Sequence, residues 1–249
     1  SKIEELFSEL DKGIEQLKTA QQQLKTYRQS VLKWAFEGRL TNENVKDGEL
    51  PEGWMFKTIG EIFEVYVGST PKRNKPEYWN GDINWVSSGE IAFSNITTTK
   101  EKITEAGLNN TSCKIHPIGT VIIAMIGEGK TRGQAAILKI AASHNQNTAA
   151  IRVDKSKYLS ELLYYYFVYK YEENRRIGSG NNQKALNKER VKNIKIPIIP
   201  LEEQKQIVQE IESRLSVADK MEESITQSLQ QAEVLRQSIL KKAFEGRLV

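Results

Sequence analysis

Cysteine, histidine and long apolar runs are scarce in this 249-residue sequence, and each shortage closes off a class of function. A single cysteine, Cys113, permits no internal disulfide, so a reducing, cytoplasmic setting is the default. The two histidines, His116 and His144, lack metal-ligand spacing to a carboxylate or to Cys113, and both read as turn or surface positions. No apolar run is long enough to cross a membrane, and no signal-peptide pattern is present. A glycine-rich cofactor loop and an Asn-Pro-Pro-Tyr-like base-methylation motif are also missing.

Two motifs approach catalysis and fall short. Gly127-Glu128-Gly129-Lys130-Thr131 follows a hydrophobic strand, as a phosphate loop does, but the glycine needed five places before Gly129 is Ala124, inside the strand. Glu128 and Lys130 with Asp82 imitate the cluster of a metal-dependent nuclease, yet no second carboxylate anchor accompanies Asp82. The expectation is a chain with no catalytic site, no metal and no cofactor.

What the chain does have is a stretch that occurs twice. Residues 28–40 read RQSVLKWAFEGRL and residues 236–248 read RQSILKKAFEGRL, with 11 of 13 positions identical at an offset of 208. The same offset pairs Ile3-Glu4 with Ile211-Glu212 and Asp11-Lys12 with Asp219-Lys220. Each copy carries a heptad seam, in which apolar residues recur by alternating fours and threes. The first runs Ile3, Phe7, Leu10, Ile14, Leu17, Gln21, Leu24, Arg28, Val31, Ala35. The second runs Ile211, Leu215, Ala218, Glu222, Ile225, Leu229, Ala232, Arg236, Ile239, Ala243. Gly38 and Gly246 stand where a left-handed cap would end each helix. The order of the elements makes the two helices antiparallel, related by an approximate two-fold axis. Trp34 and Lys242 differ between the copies and so fall outside the shared seam, while Phe36 and Phe244 are expected to pack the pair.

The formal net charge of +4 hides a division. Residues 46–195 hold 22 Lys+Arg against 16 Asp+Glu, and the helical remainder holds 14 against 16. A basic insert on slightly acidic arms fits an insert that meets a polyanion and arms that meet protein. The insert is mixed in character: Gly119–Gly127 is its clearest buried strand, residues 157–177 read as helical, and residues 195–200 as a short edge strand. The expected fold is therefore α+β, one mixed strand-rich domain plus two long antiparallel coiled-coil helices. Its boundaries are a helix over 1–40, a linker over 41–53, the mixed domain over 54–200 and the second helix over 201–249.

Three loops of the insert combine cations with amides and hydroxyls. The first offers Ser69, Thr70, Lys72, Arg73 and Lys75; the second Lys130, Thr131, Arg132 and Gln134; the third Ser179, Asn181, Asn182, Gln183 and Lys184. Lys and Arg neutralise phosphates, while Asn, Gln and Arg hydrogen-bond base edges in pairs. These are the candidate DNA-binding residues.

Five segments then carry a family resemblance: LPEGWMFKTIGEI, GSTPKRNKPEYWNGDINWVSSGEI, GTVIIAMIGEGKTRGQAAIL, NQNTAAI, and GSGNNQKALNKERVKNIKIPIIPLEEQKQIVQEIE running into a helix that ends AFEGRL. The chain resembles the second half of the specificity (S) subunit of type I restriction–modification systems. The resemblance implies a non-catalytic subunit whose target-recognition domain reads one half of a bipartite double-stranded DNA site in the major groove. It implies that the helices act as a spacer and dock modification (methyltransferase) subunits and, through them, restriction subunits. A half-length subunit of this kind is expected to form a two-fold homodimer. The residues leave open two other classes, a scaffold whose insert binds protein and a stand-alone nuclease.

Overall fold

The computed structural model describes residues 2–42, 44–46, 48–127, 129–176 and 186–247. The chain forms two compact units, residues 1–35 with 209–249, and residues 36–208.

The helical unit consists of α1 (Lys2–Phe36) and the greater part of a last helix, Leu201–Phe244, numbered α7 in chain order. At about 1.5 Å per residue they are roughly 50 and 65 Å long. Every seam residue of both copies is buried or half-buried, while Lys25, Glu223 and Glu233 off the seam are exposed. The helices are antiparallel: Arg28 bonds Asp219 at 2.6 Å and Glu222 at 2.9 Å, and Arg236 bonds Asp11. Arg28–Asp219 and Arg236–Asp11 are the same contact made twice, since each residue is exchanged for its counterpart 208 positions away. The pseudo-two-fold axis read from the repeat is thus expressed in two ion pairs. Exposed pairs of this kind add roughly 0–1 kcal/mol each, so their effect is on register more than on stability.

Gly246 ends α7 with φ of +67°, the Arg247 N–H reaching the Lys242 carbonyl at 2.8 Å and the Gly246 N–H reaching Ala243 at 3.2 Å. That is the double bond of a Schellman cap, which needs a left-handed residue. Gly38 has φ of +75°, as its place in the repeat anticipates. The two phenylalanines depart from expectation. Phe244 is 88% exposed, and Phe36 is buried against Tyr166 and Tyr169 within the mixed unit, with ring centroids 5.0 and 5.6 Å away.

The mixed unit takes its strands and helices in the order β1 (Met55–Thr58), α2 (Ile59–Ile62), β2 (Glu64–Val67), β3 (Trp79–Val86), β4 (Ser94–Ile96), β5 (Glu101–Ile103), α3 (Glu105–Asn109), β6 (Val121–Ala124), β7 (Ala135–Leu138), β8 (Ser143–His144), β9 (Thr148–Arg152), α4 (Ser160–Tyr169), α5 (Tyr171–Arg176), α6 (Lys188–Lys192) and β10 (Lys195–Ile198). A five-stranded sheet has the order β2-β9-β6-β7-β4, a three-stranded sheet the order β5-β3-β8, and β1 pairs with β10. Strands β6 and β7 are buried at every position, which fits their unbroken apolar sequence. Alternate residues Ile122, Ala124, Ala136, Leu138 and Ala150 pack with Val86, Ile91 and Ile96, and α4 also packs on β6 and β7. Trp85, Ile103 and Cys113 form a smaller core under the three-stranded sheet.

The pairings fix which loops share an end. Val67 of β2 lies opposite Ala149 of β9, Ala124 of β6 opposite Thr148, and Ile123 opposite Ala135 of β7. The loops after β2, between β6 and β7, and between β8 and β9 therefore emerge from the same end of the five-stranded sheet.

Candidate nucleic-acid interface

The first loop, 68–75, is locked to the β8–β9 turn by backbone. A Cβ on Gly68 would stand 2.0 Å from the His144 carbonyl oxygen and 2.4 Å from that of Asn145, so no other residue fits without moving one chain. Next to it the Ser69 N–H donates to the His144 carbonyl at 2.9 Å, and the Ser69 carbonyl accepts from Trp85 Nε1 at 3.0 Å and from Cys113 Sγ at 3.1 Å. The Thr70 hydroxyl donates to the Gln146 side chain. The loop turns back on itself where the Lys72 carbonyl accepts from the Lys75 N–H and from Trp79 Nε1.

The cations of that loop have unequal freedom. Arg73 grips Glu101 with both terminal guanidinium nitrogens and lies 3.9 Å over the Trp79 ring. The hydrogen bond to Glu101 pushes the Arg73 pKa up, and the same bond holds the Glu101 carboxyl below its ordinary range. Lys75 meets Glu77 at 3.5 Å. Lys72 is exposed and forms no ion pair among the described residues.

The second loop joins β6 to β7. The Met125 N–H donates to the Asn147 carbonyl at 2.9 Å, which ties this loop to the β8–β9 turn as well. Helix α5 holds its tip: Arg175 donates to the Gly129 carbonyl at 2.7 Å and Tyr171 donates to that of Lys130. Gly127 and Gly133 take positive φ of 143° and 84°, which lets the loop reverse. Lys130 is exposed without an ion pair among the described residues, Thr131, Arg132 and Gln134 are half-buried, and Arg132 Nε is enclosed without a described partner.

The third candidate loop, with Ser179, Asn181, Asn182, Gln183 and Lys184, lies outside the described residues. Its flanks both bear on the second loop: the Leu186 N–H donates to the Met125 carbonyl at 3.0 Å, and Arg175 and Tyr171 belong to the helix that precedes it.

The β8–β9 turn, 145–147, is thus the hinge of the site, and it was missed among the sequence candidates. Its signal is visible: Asn145-Gln146-Asn147 is a run of three amides between two strands. Gln146 is exposed at its tip.

Beneath the turn sit the two histidines, which are buried rather than at the surface, at 1% and 0% exposure. They are joined Nε2 to Nε2 at 3.2 Å. Arg152 Nε donates to His116 Nδ1 at 3.2 Å, and since arginine only donates, the proton pattern follows along the line. His116 Nε2–H donates to His144 Nε2, His144 Nδ1–H donates to Thr148 Oγ1 at 2.7 Å, and the Thr148 hydroxyl donates to the Asn145 carbonyl at 2.9 Å. Both rings stay neutral. Burial, with the proximity of His144 and the Arg152 and Lys114 cations adding to it, lowers the His116 pKa to about 3, and burial lowers that of His144 to about 4.

Among the described residues no group of three or more His, Cys, Asp or Glu is placed to hold a metal ion, and no helix is long and apolar enough to cross a membrane. The arrangement offers fixed backbone, exposed amides and, among the described residues, two lysines without an ion pair at one end of a sheet. These suit binding through phosphates and base edges.

Comparison with known proteins gives a consistent answer. Residues 51–231 match the model of the type I restriction modification DNA specificity domain. The chain is 33% identical over 165 residues to the type I restriction enzyme MjaIX specificity subunit of Methanocaldococcus jannaschii, covering 64% of this chain and 37% of that protein. It is 27% identical over 196 residues to the EcoR124I/EcoR124II specificity subunit of Escherichia coli, covering 77% and 46%. In fold it is similar to the HsdS subunit from Thermoanaerobacter tengcongensis, with a TM-score of 0.68 at 22% identity over 99% of this chain and 57% of that one. The chain spans about half the length of such relatives or less. The family model covers most of the chain, and the fold is shared along nearly all of it: the protein belongs to the type I restriction–modification DNA specificity family.

Proposed function

We propose that the chain is a non-catalytic DNA-reading subunit: its mixed unit recognises one half of a bipartite site, and its helices dock methyltransferase subunits in the cytoplasm. The observation that carries this reading is the junction of loops 68–75, 125–134 and 145–147 at one end of the five-stranded sheet, in a chain of this family. Restriction subunits join through the methyltransferase subunits, and the chain alone forms a two-fold homodimer. Binding of a fluorescent duplex to the full chain, competed by unlabelled DNA, tests it. Lys72→Ala with Lys130→Ala is expected to weaken binding to all sequences and to lower the salt slope by roughly 2, at about 0.9 per phosphate neutralised. Affinity and slope unchanged in the double variant would place the DNA surface elsewhere. Methyl transfer by the pure chain would contradict the non-catalytic assignment.

A further inference from the structure

We propose that Gln146 is a base-reading side chain, its carboxamide pairing with the N6 and N7 edge of an adenine in the major groove. The inference rests on the DNA reading above and names a residue within it.

Gln146 is exposed, yet it is held. Its side-chain oxygen accepts from the Thr70 hydroxyl, which belongs to another loop. Its backbone neighbours are tied on every side. The Asn145 N–H donates to the Val86 carbonyl at 3.0 Å, and the Asn147 N–H donates to Asn145 Oδ1 at 3.1 Å. The Asn147 carbonyl accepts from Met125, the His144 carbonyl accepts from Ser69, and the Asn145 carbonyl terminates the buried histidine chain. A long polar side chain in water has no need of this support; ordering one costs free energy on binding unless the order is already present. Here it is present.

The remaining hydrogen-bonding capacity matches one base. With one lone pair used by Thr70, the amide oxygen keeps a second, and the amide nitrogen keeps two donors. An acceptor beside a donor is the complement of adenine N6–H and N7. Lys72, two residues from Thr70 in the same loop and free of ion pairs among the described residues, is the cation to meet a phosphate and fix the register.

The test is selection of duplexes from a library with a randomised central window by the full chain, carried out for wild type, Gln146→Ala and Thr70→Val. The wild type is expected to enrich a motif containing an adenine whose preference is lost in Gln146→Ala while the other positions persist. Affinity for the selected duplex falls about 10-fold, within the range of one bidentate base contact, and bulk duplex affinity changes less than about twofold. Replacing that adenine by 7-deazaadenine weakens the wild type and leaves Gln146→Ala unaffected. Thr70→Val gives an intermediate loss at the same base pair. An unchanged motif in Gln146→Ala overturns the proposal, as does equal sensitivity of both proteins to 7-deazaadenine. A wild type that enriches no motif removes the DNA reading itself and the proposal with it. The two failures are distinct, since only the first leaves a sequence-specific protein.

Discussion

At the scale of residues, the site separates side chains that hold from side chains left free to bind. Arg73 and Lys72 are neighbours with opposite fates. Arg73 is engaged by Glu101 and Trp79, so Arg73→Ala is expected to cost stability, about 1 kcal/mol after allowance for its exposure, and to leave the salt slope of DNA binding nearly intact. Lys72→Ala should do the reverse, with stability within about 0.5 kcal/mol and a salt slope lower by about 0.9. Urea melts and salt titrations of the two single variants check this; a large slope change for Arg73→Ala alone would return it to the DNA surface. The histidine chain makes a sharper prediction, because these are the chain's two histidines. Nitrogen-15 spectra at neutral pH should show the Nε2–H tautomer for His116 and the Nδ1–H tautomer for His144, with neither ring titrating near 6.5. Both folded pKa values are depressed, so the unfolded chain takes up protons first as the pH drops below 6.5. Stability is therefore full above that point and declines towards the folded values of about 4 and about 3. His144 alone accounts for a loss on the order of 3 kcal/mol by about pH 4. A ring that titrates normally would break the chain of donors on which the tautomers depend.

At the scale of elements, regular structure was legible in the sequence where a period carries it. The heptad seam could be read residue by residue because a helix in a coiled coil returns the same face about every 3.5 positions, and the capping glycines followed from the repeat. The buried strands showed as apolar runs. The loops were visible as polar segments, but their internal order was not. Arg73 finds Glu101 28 residues away, and His116 finds His144 across an isolated bridge between His116 and Ala142, so neither pairing leaves a local pattern. Phe36 and Phe244 occupy equal places in the repeat and end in unlike surroundings, which identity of sequence cannot distinguish. Gln204 is a further case. It looks like any polar residue near a helix start, yet it is fully buried and satisfies three backbone groups: the Leu159 N–H at 2.8 Å and the Lys157 and Ile199 carbonyls at 3.0 and 2.8 Å. Gln204→Ala orphans all three and is expected to cost roughly 3 kcal/mol. Gln204→Glu loses the two donated bonds and should be no better tolerated. A loss below about 1 kcal/mol in a urea melt would mean that water replaces the side chain.

At the scale of the molecule, the helical unit bears on assembly. Its two helices exchange under a pseudo-two-fold operation, which the paired contacts Arg28–Asp219 and Arg236–Asp11 make visible. One face of α7 remains uncovered. Val217, Met221 and Leu235 are 55, 53 and 51% exposed, and each lies one position before a seam residue, so they share a stripe at heptad spacing. Leu32 is buried and Leu6 and Leu240 are half-buried, so those leucines add little to this face. A stripe of exposed apolar residues along a helix is covered most simply by its own copy, through a two-fold axis that closes without forming fibres. Two copies related in this way present identical recognition units and would read the same half-site in inverted orientation, an interrupted palindrome. Sedimentation equilibrium of the full chain at micromolar concentration is expected to give twice the chain mass of 28.4 kDa. Met221→Glu with Leu235→Glu should return it to the monomer with unchanged helicity, because both side chains already face water. A wild type that stays at 28.4 kDa excludes self-association. A dimer that survives both glutamates places the contact on another face, and the palindrome prediction then rests on symmetry alone.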